Sequence, residues 1–203
     1  MGSLFRGRGL GWQHLSYPDF DIDEGELTVI SGPSGCGKST LLKLFNGVYS
    51  ADRGQLFCRE RLIAELDIIA LRREALLAGQ TVYLFPGSIA DNFAEYYSYR
   101  ELPRPETQTM RDYLDICCLD FPLEADCSQM SGGERQRVYL SVFLSLASSV
   151  IMLDEPTSAL DQDTGWRLLS QVKEHCRRRG MSALVVSHDM RCAERLADRE
   201  IKL

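Results

Sequence analysis

An α/β fold around a parallel sheet is predicted by three features of this 203-residue chain. Three short apolar runs stop abruptly at polar residues, a glycine-rich turn follows the first of them, and apolar residues at helical spacing fill the intervals. The runs are Leu27-Thr28-Val29-Ile30, Val150-Ile151-Met152-Leu153 and Ala183-Leu184-Val185-Val186. Continuous aliphatic and β-branched runs of this length are the pattern of strands buried on both faces of a parallel sheet. They end in Ser31-Gly32, Asp154-Glu155 and Ser187-His188-Asp189. Ligands of such sheets bind beyond the carboxyl ends of the strands, so the chemistry is expected there.

The helices follow from periodicity. Ser39 to Val48 carries Leu41, Leu42, Leu44, Phe45 and Val48; Gly133 to Ala147 carries Val138, Leu140, Val142, Phe143, Leu144 and Leu146; Gly165 to Arg178 carries Trp166, Leu168, Leu169 and Val172. These spacings give one apolar stripe per helix. Arg177-Arg178-Arg179 before Gly180 is expected to close the last of them, where cations suit the helix dipole. Residues 86–130, rich in Tyr, Pro and acidic side chains, read as short helices and turns forming a helical subdomain within one domain spanning 1–203.

Composition narrows the function. A 44% hydrophobic and 26% charged chain can bury a proper core. Its longest apolar runs are far too short to cross a bilayer. The start, Gly2-Ser3-Leu4-Phe5-Arg6-Gly7-Arg8-Gly9, has no apolar segment of the signal-peptide kind. Arg6 also stands where myristoylation needs Ser or Thr. Any membrane connection is therefore expected through a separate protein. A net charge of −6 argues against nucleic acid as a partner. Seven cysteines, none in a Cys-x-x-Cys pair, read as reduced small apolar residues.

Gly32-Pro33-Ser34-Gly35-Cys36-Gly37-Lys38-Ser39 matches the phosphate-loop pattern between a predicted strand and a predicted helix, with Thr40 following. Its glycines let consecutive N–H groups turn inward on phosphates, and the helix start adds its positive end. In such loops the lysine, here Lys38, reaches the β- and γ-phosphates of a nucleotide, and the hydroxyl, here Ser39, holds Mg²⁺; alone, the loop does not separate kinases, GTPases and motor ATPases. The Asp154-Glu155 pair ends a buried strand, where uncompensated carboxylates are costly. Asp154 suits Mg²⁺, and Glu155 suits polarising an attacking water. By itself the dipeptide could equally cap a following helix.

Met130-Ser131-Gly132-Gly133-Glu134-Arg135-Gln136-Arg137 resembles the LSGGQ signature of ABC ATPases, with Met for Leu and Glu for Gln. Ser131 with the N–H groups of Gly132 and Gly133 at a helix N-terminus makes a second anion site, although a simple helix cap would look the same. Ser158-Ala159-Leu160-Asp161 resembles the D-loop of that family, His188 its switch histidine, and Gln80 the Q-loop residue that senses Mg²⁺ and the transport partner. Tyr17 resembles the aromatic that stacks on adenine, with Trp12 also qualifying by type. The resemblance extends over roughly residues 10–203.

This resemblance implies an α/β phosphate-loop NTPase of ABC-ATPase type: a mixed central sheet, an N-terminal antiparallel portion and an inserted helical subdomain. It implies ATP hydrolysis with Mg²⁺ in a head-to-tail, ATP-dependent homodimer, each signature closing over the nucleotide of the other chain. Glu155, His188 and Lys38 are the expected catalytic residues; Ser39, Gln80 and Asp154 the expected metal ligands. The chain resembles a stand-alone subunit energising a separate permease from the cytoplasmic face, most similar to small ATPases of a metal (iron) exporter type. A non-transport ABC ATPase, as in iron–sulfur cluster assembly, is the alternative. A small-molecule phosphate-loop kinase would need neither Ser131-Gly132-Gly133 nor His188.

Overall fold

The computed structural model describes residues 2–187 and 195–203. Two sheets sandwich the first helix. An antiparallel sheet is built by β1 (Ser3–Trp12), β2 (Leu15–Ser16), β3 (Phe20–Asp23), β5 (Arg53–Cys58) and β6 (Arg61–Leu62), with β1 pairing β2, β3 and β5. A parallel sheet has the order β10-β4-β9-β8-β7, from Arg199–Lys202, Leu27–Ser31, Ser182–Val186, Val150–Asp154 and Ala75–Ala78. The antiparallel and parallel parts of the expected mixed architecture are thus separate sheets.

The three apolar runs are the central strands β4, β9 and β8, every residue of which is buried. Each strand feeds two cores by alternation. Val150, Met152, Leu184 and Val186 face the cluster shared with the antiparallel sheet, whereas Ile151, Leu153, Ala183 and Val185 face the helical side. Helix α1 (Lys38–Phe45) fills the space between the sheets with Leu41, Leu42, Leu44 and Phe45, and the Phe45 ring lies 4.6 Å from Phe5. It ends three residues before the expected Val48: Gly47 turns left-handed at φ 66, and Val48 is left 45% exposed.

On the other face lie α3 (Ile89–Tyr99), α4 (Thr107–Ile116), α5 (Gly132–Leu146) and α6 (Gln162–Arg179); α2 (Ile68–Glu74) precedes β7. Helices α3 and α4 fall inside residues 86–130, between β7 and α5, and their Ile89, Phe93, Met110 and Leu114 join the same apolar cluster as α5. A reciprocal Ser88–Asp91 capping box starts α3. Asn92, fully buried, accepts from the Phe85 N–H and donates to the Phe85 and Ser88 carbonyls, which pins the loop leading into that helix. The arginine run does close α6, with Gly180 left-handed at φ 64. No helix among the described residues is long and apolar enough to cross a membrane.

One buried polar group predicts an acid-labile fold. His175 on α6 sits edge-on to the Tyr113 ring, 5.2 Å away, and its Nε2 has no hydrogen-bond partner among the described residues. Burial, then the nearby Arg179 and Arg178 charges, hold its pKa below the usual imidazole value. With the folded-state pKa depressed, the unfolded chain takes up the proton first. His175 therefore contributes stability above about pH 6.5 that is lost as the pH falls through that value. The thermal unfolding midpoint of wild type should drop more steeply between about pH 7.5 and pH 5.5 than that of His175→Phe; equal slopes would contradict this.

Candidate nucleotide site

Strand register brings the motifs together. Ile30 pairs with Val186, and Val186 pairs with Asp154, so β4, β9 and β8 end at one level. The phosphate loop, Asp154-Glu155 and Ser187 therefore emerge side by side. The switch position His188 lies outside the described residues.

The loop from Gly32 to Ser39 needs glycine for both shape and space. Gly32 has φ 151, and a Cβ there would come 2.8 Å from Cys36 Sγ and from the Leu203 carbonyl oxygen. Gly37 has φ 99, and its Cβ would meet Leu15 Cδ1 at 2.8 Å and Tyr17 Oη at 2.9 Å. Side chains rarely adopt such positive φ. Buried Lys38 folds back over the loop, its Nζ donating to the Gly32 and Pro33 carbonyls at 2.9 Å each. Among the described residues its hydrogen bonds go to neutral carbonyls, which leaves the ammonium charge available to phosphate.

Ser39 Oγ donates to Asp154 Oδ1 at 2.9 Å, joining the loop to β8 across 115 residues of sequence. Burial raises the Asp154 pKa, with Glu155 adding to the rise, while the Ser39 bond, Lys43 and Lys38 act in the opposite direction. A buried carboxylate whose charge is penalised in this way fits a cation beside it. Carboxylate and hydroxyl are hard oxygen donors, the set that suits Mg²⁺ completed by phosphate oxygens and water.

Glu155 lies just past β8 with φ 53, left-handed for a non-glycine residue. Its carboxylate accepts from Gln80 Nε2 at 3.2 Å, so the glutamine following β7 does meet the acidic pair. The geometry corrects the placement of Tyr17. That ring is only 5% exposed, it belongs to the core between the sheets, and its hydroxyl donates to the Gly37 carbonyl at 3.2 Å. Burial pushes it up to about 12, keeping it a neutral donor that props the loop from below. A ring with no free face cannot stack on a base. Trp12 is the aromatic that stays partly exposed, stacked on Tyr49 at 4.6 Å.

The signature residues open α5. Ser131 is its N-cap: its hydroxyl and its N–H both donate to one Glu134 carboxylate oxygen at 2.7 Å, and the Glu134 N–H points back at the hydroxyl. The observed cap thus falls on the residue expected to serve the second anion site. Asp161 caps α6 in the same way, accepting from the Thr164 N–H at 2.9 Å. Sequence reasoning missed Gln136, whose Nε2 donates to the Glu155 carbonyl at 3.0 Å. The available signal was a polar residue in register with buried Leu140, four positions on, along the apolar stripe of α5.

A phosphate loop on a parallel sheet, with a carboxylate pair and a serine–glycine helix start at the same sheet end, defines a phosphate-loop ATPase of the ABC class. The family model described as ABC transporter matches residues 15–158, and the chain belongs to that family, whose members are ATPases. It is 35% identical over 190 residues to the glutamine transport ATP-binding protein GlnQ of Bacillus subtilis, covering 91% of this chain and 78% of that protein. It is 33% identical over 195 residues to the sn-glycerol-3-phosphate import ATP-binding protein UgpC of a Jannaschia species, covering 95% of this chain and 55% of that protein. The chain spans about half the length of the UgpC relatives it matches. Among solved structures it resembles MJ0796, described as a dimeric bacterial ABC transporter cassette, at a TM-score of 0.81 and 25% identity, covering 100% of this chain and 92% of that one.

Proposed function

We propose that residues 1–203 act as one nucleotide-binding domain that hydrolyses ATP in a head-to-tail dimer and thereby drives a separate permease. The observation that carries this reading is the Ser39–Asp154 bond beside Lys38 and Glu155, four chemically complementary groups at one end of the sheet. Lys38 and the loop N–H groups of Gly32 to Thr40 would hold the β- and γ-phosphates, displacing the lysine from its carbonyl partners. Ser39, Asp154 and, through its amide oxygen, Gln80 would hold Mg²⁺, which when bound neutralises charge on the transferred phosphoryl group. Glu155 takes the proton side of the reaction by polarising the attacking water. His188 is the expected γ-phosphate contact. Trp12 replaces Tyr17 as the proposed adenine platform.

The Ser131–Gly133 end of α5 and Asp161 would meet the nucleotide held by the second chain. A partly exposed aromatic patch supports a protein partner near Gln80. Tyr83 and Tyr99, 58% and 70% exposed, both pack on Phe85, which also meets Tyr96 on α3. Exposed apolar patches of this kind mark interaction sites. Such a partner would hold the protein at the cytoplasmic face of a membrane. Cargo is chosen by the permease; the expectation of metal (iron) export has no counterpart in the two relatives named, a glycerol-phosphate importer and a glutamine transport protein.

Cysteine labelling tests occupancy of the loop. Cys36 lies in the loop itself and is partly exposed, as is Cys118. Burial raises the thiols of Cys117 and Cys127, and pushes Cys58 up to about 11 and Cys176 up to about 12. Alkylation should therefore be faster at Cys36 than at these four. ATP should block it at Cys36 and leave Cys118 unchanged. Peptide mapping that finds equal Cys36 labelling with and without ATP would place the nucleotide elsewhere.

A further inference from the structure

Gln136, one turn into α5, is 7% exposed and makes one bond of consequence: its Nε2 donates to the Glu155 carbonyl at 3.0 Å. Its Oε1 is buried and, among the described residues, has no hydrogen-bond partner. Buried amides are normally satisfied at both ends. Keeping one end unpaired points to a function for the bond at the other.

The residue receiving that bond holds an uncommon conformation. Glu155 has φ 53, a region that persists in non-glycine residues only where the surroundings over-determine it. Its N–H donates to the Val186 carbonyl at 3.1 Å, which fixes one side of the turn to β9. Gln136 fixes the other side to α5. Three residues upstream, a Cβ on Gly133 would come 2.9 Å from the Ala159 carbonyl oxygen and 3.0 Å from Leu160 Cδ2. The N-terminal turns of α5 thus touch the chain both at Glu155 and just beyond it.

We propose that Gln136 is a positioning residue for hydrolysis: it locks the left-handed backbone of Glu155 and ties it rigidly to the Ser131–Gly133 end of the same helix. Phosphate capture by Ser131–Gly133 at the partner's nucleotide is thereby felt at Glu155 in the chain's own site. This rests on the reading of Glu155 as the water-polarising residue and of Ser131 as acting across the dimer.

Gln136→Met keeps the length and the burial of the side chain but removes the donor. Its kcat for ATP should fall by about tenfold, the size of one lost oriented hydrogen bond, with KM for ATP within about twofold of wild type. With hydrolysis slowed and capture intact, it should also accumulate as an ATP-dependent dimer on gel filtration. Simple damage to α5 would do the reverse, removing the signature end and the dimer with it. A kcat within about twofold of wild type, a loss confined to KM, or a slow variant with no ATP-dependent dimer would each overturn the proposal. If Gln136→Met does not fold, Gln136→Glu, which sets a carboxylate against the Glu155 carbonyl, carries the same expectations. Failure of both to fold makes the residue structural and also overturns the proposal. Glu155→Gln assayed alongside separates the two ideas: normal turnover there removes Glu155 from the chemistry, whereas slow turnover beside a normal Gln136→Met defeats the positioning role alone.

Discussion

Replacing Glu155 by Gln is expected to lower ATP hydrolysis by at least about 10²-fold while Mg-ATP binding stays close to wild type. The amide keeps the size of the side chain and can still bond Gln80, which now lies 3.2 Å from the carboxylate. What it loses is the ability to draw a proton from water. Binding should persist because Ser39 and Asp154, bonded to each other at 2.9 Å and proposed to hold the metal, are untouched. Asp154→Asn should differ in kind, weakening the Mg²⁺ dependence of ATP binding itself. Steady-state hydrolysis and equilibrium nucleotide binding distinguish the two. Near-normal turnover in Glu155→Gln would shift the catalytic role towards His188.

The second large effect concerns two variants that are each inactive and recover on mixing. Ser131→Arg puts a long cation where the hydroxyl caps α5, spoiling the surface offered to a second chain while its own phosphate loop is intact. Lys38→Ala removes the buried ammonium but leaves its Ser131–Gly133 end intact. In a head-to-tail pair of one chain of each kind, one composite site has both halves undamaged. An equimolar mixture should then regain hydrolysis, up to about a quarter of the wild-type sites if chains pair at random. Ser131→Arg should bind ATP normally on its own. Loss of ATP affinity in Ser131→Arg alone, or no recovery in the mixture, would mean that Ser131 serves only as the helix cap that its bonds to Glu134 describe.

Legibility in the sequence followed the range of the interactions. β4, β8 and β9 could be read because burial on both faces leaves a continuous apolar run, a purely local signal. The phosphate loop was legible because its glycines answer a backbone need within eight residues. β1 was not: Arg6-Gly7-Arg8-Gly9 looks like a loop, and becomes a strand through pairing with β3 and β5 and through ion pairs of Arg6 with Glu60 and Arg8 with Asp21. Tyr17 was misplaced because its partner, the Gly37 carbonyl, is twenty residues away, and only the packed core shows that the ring lies beneath the loop. Gln136 lies within the signature run, but nothing local joins it to Glu155 nineteen positions later.

In the proposed cycle two chains close over ATP before it is hydrolysed. Gel filtration of Glu155→Gln, with and without saturating Mg-ATP, tests this closure most directly. With hydrolysis blocked, ATP bound at Lys38 of one chain and Ser131 of the other should hold the pair together, so the variant should elute as a dimer with ATP and as a monomer without it. Ser131→Arg added to the same chain should abolish the shift. Elution as a monomer at saturating Mg-ATP, by a variant shown to bind ATP with wild-type affinity, would contradict the composite site.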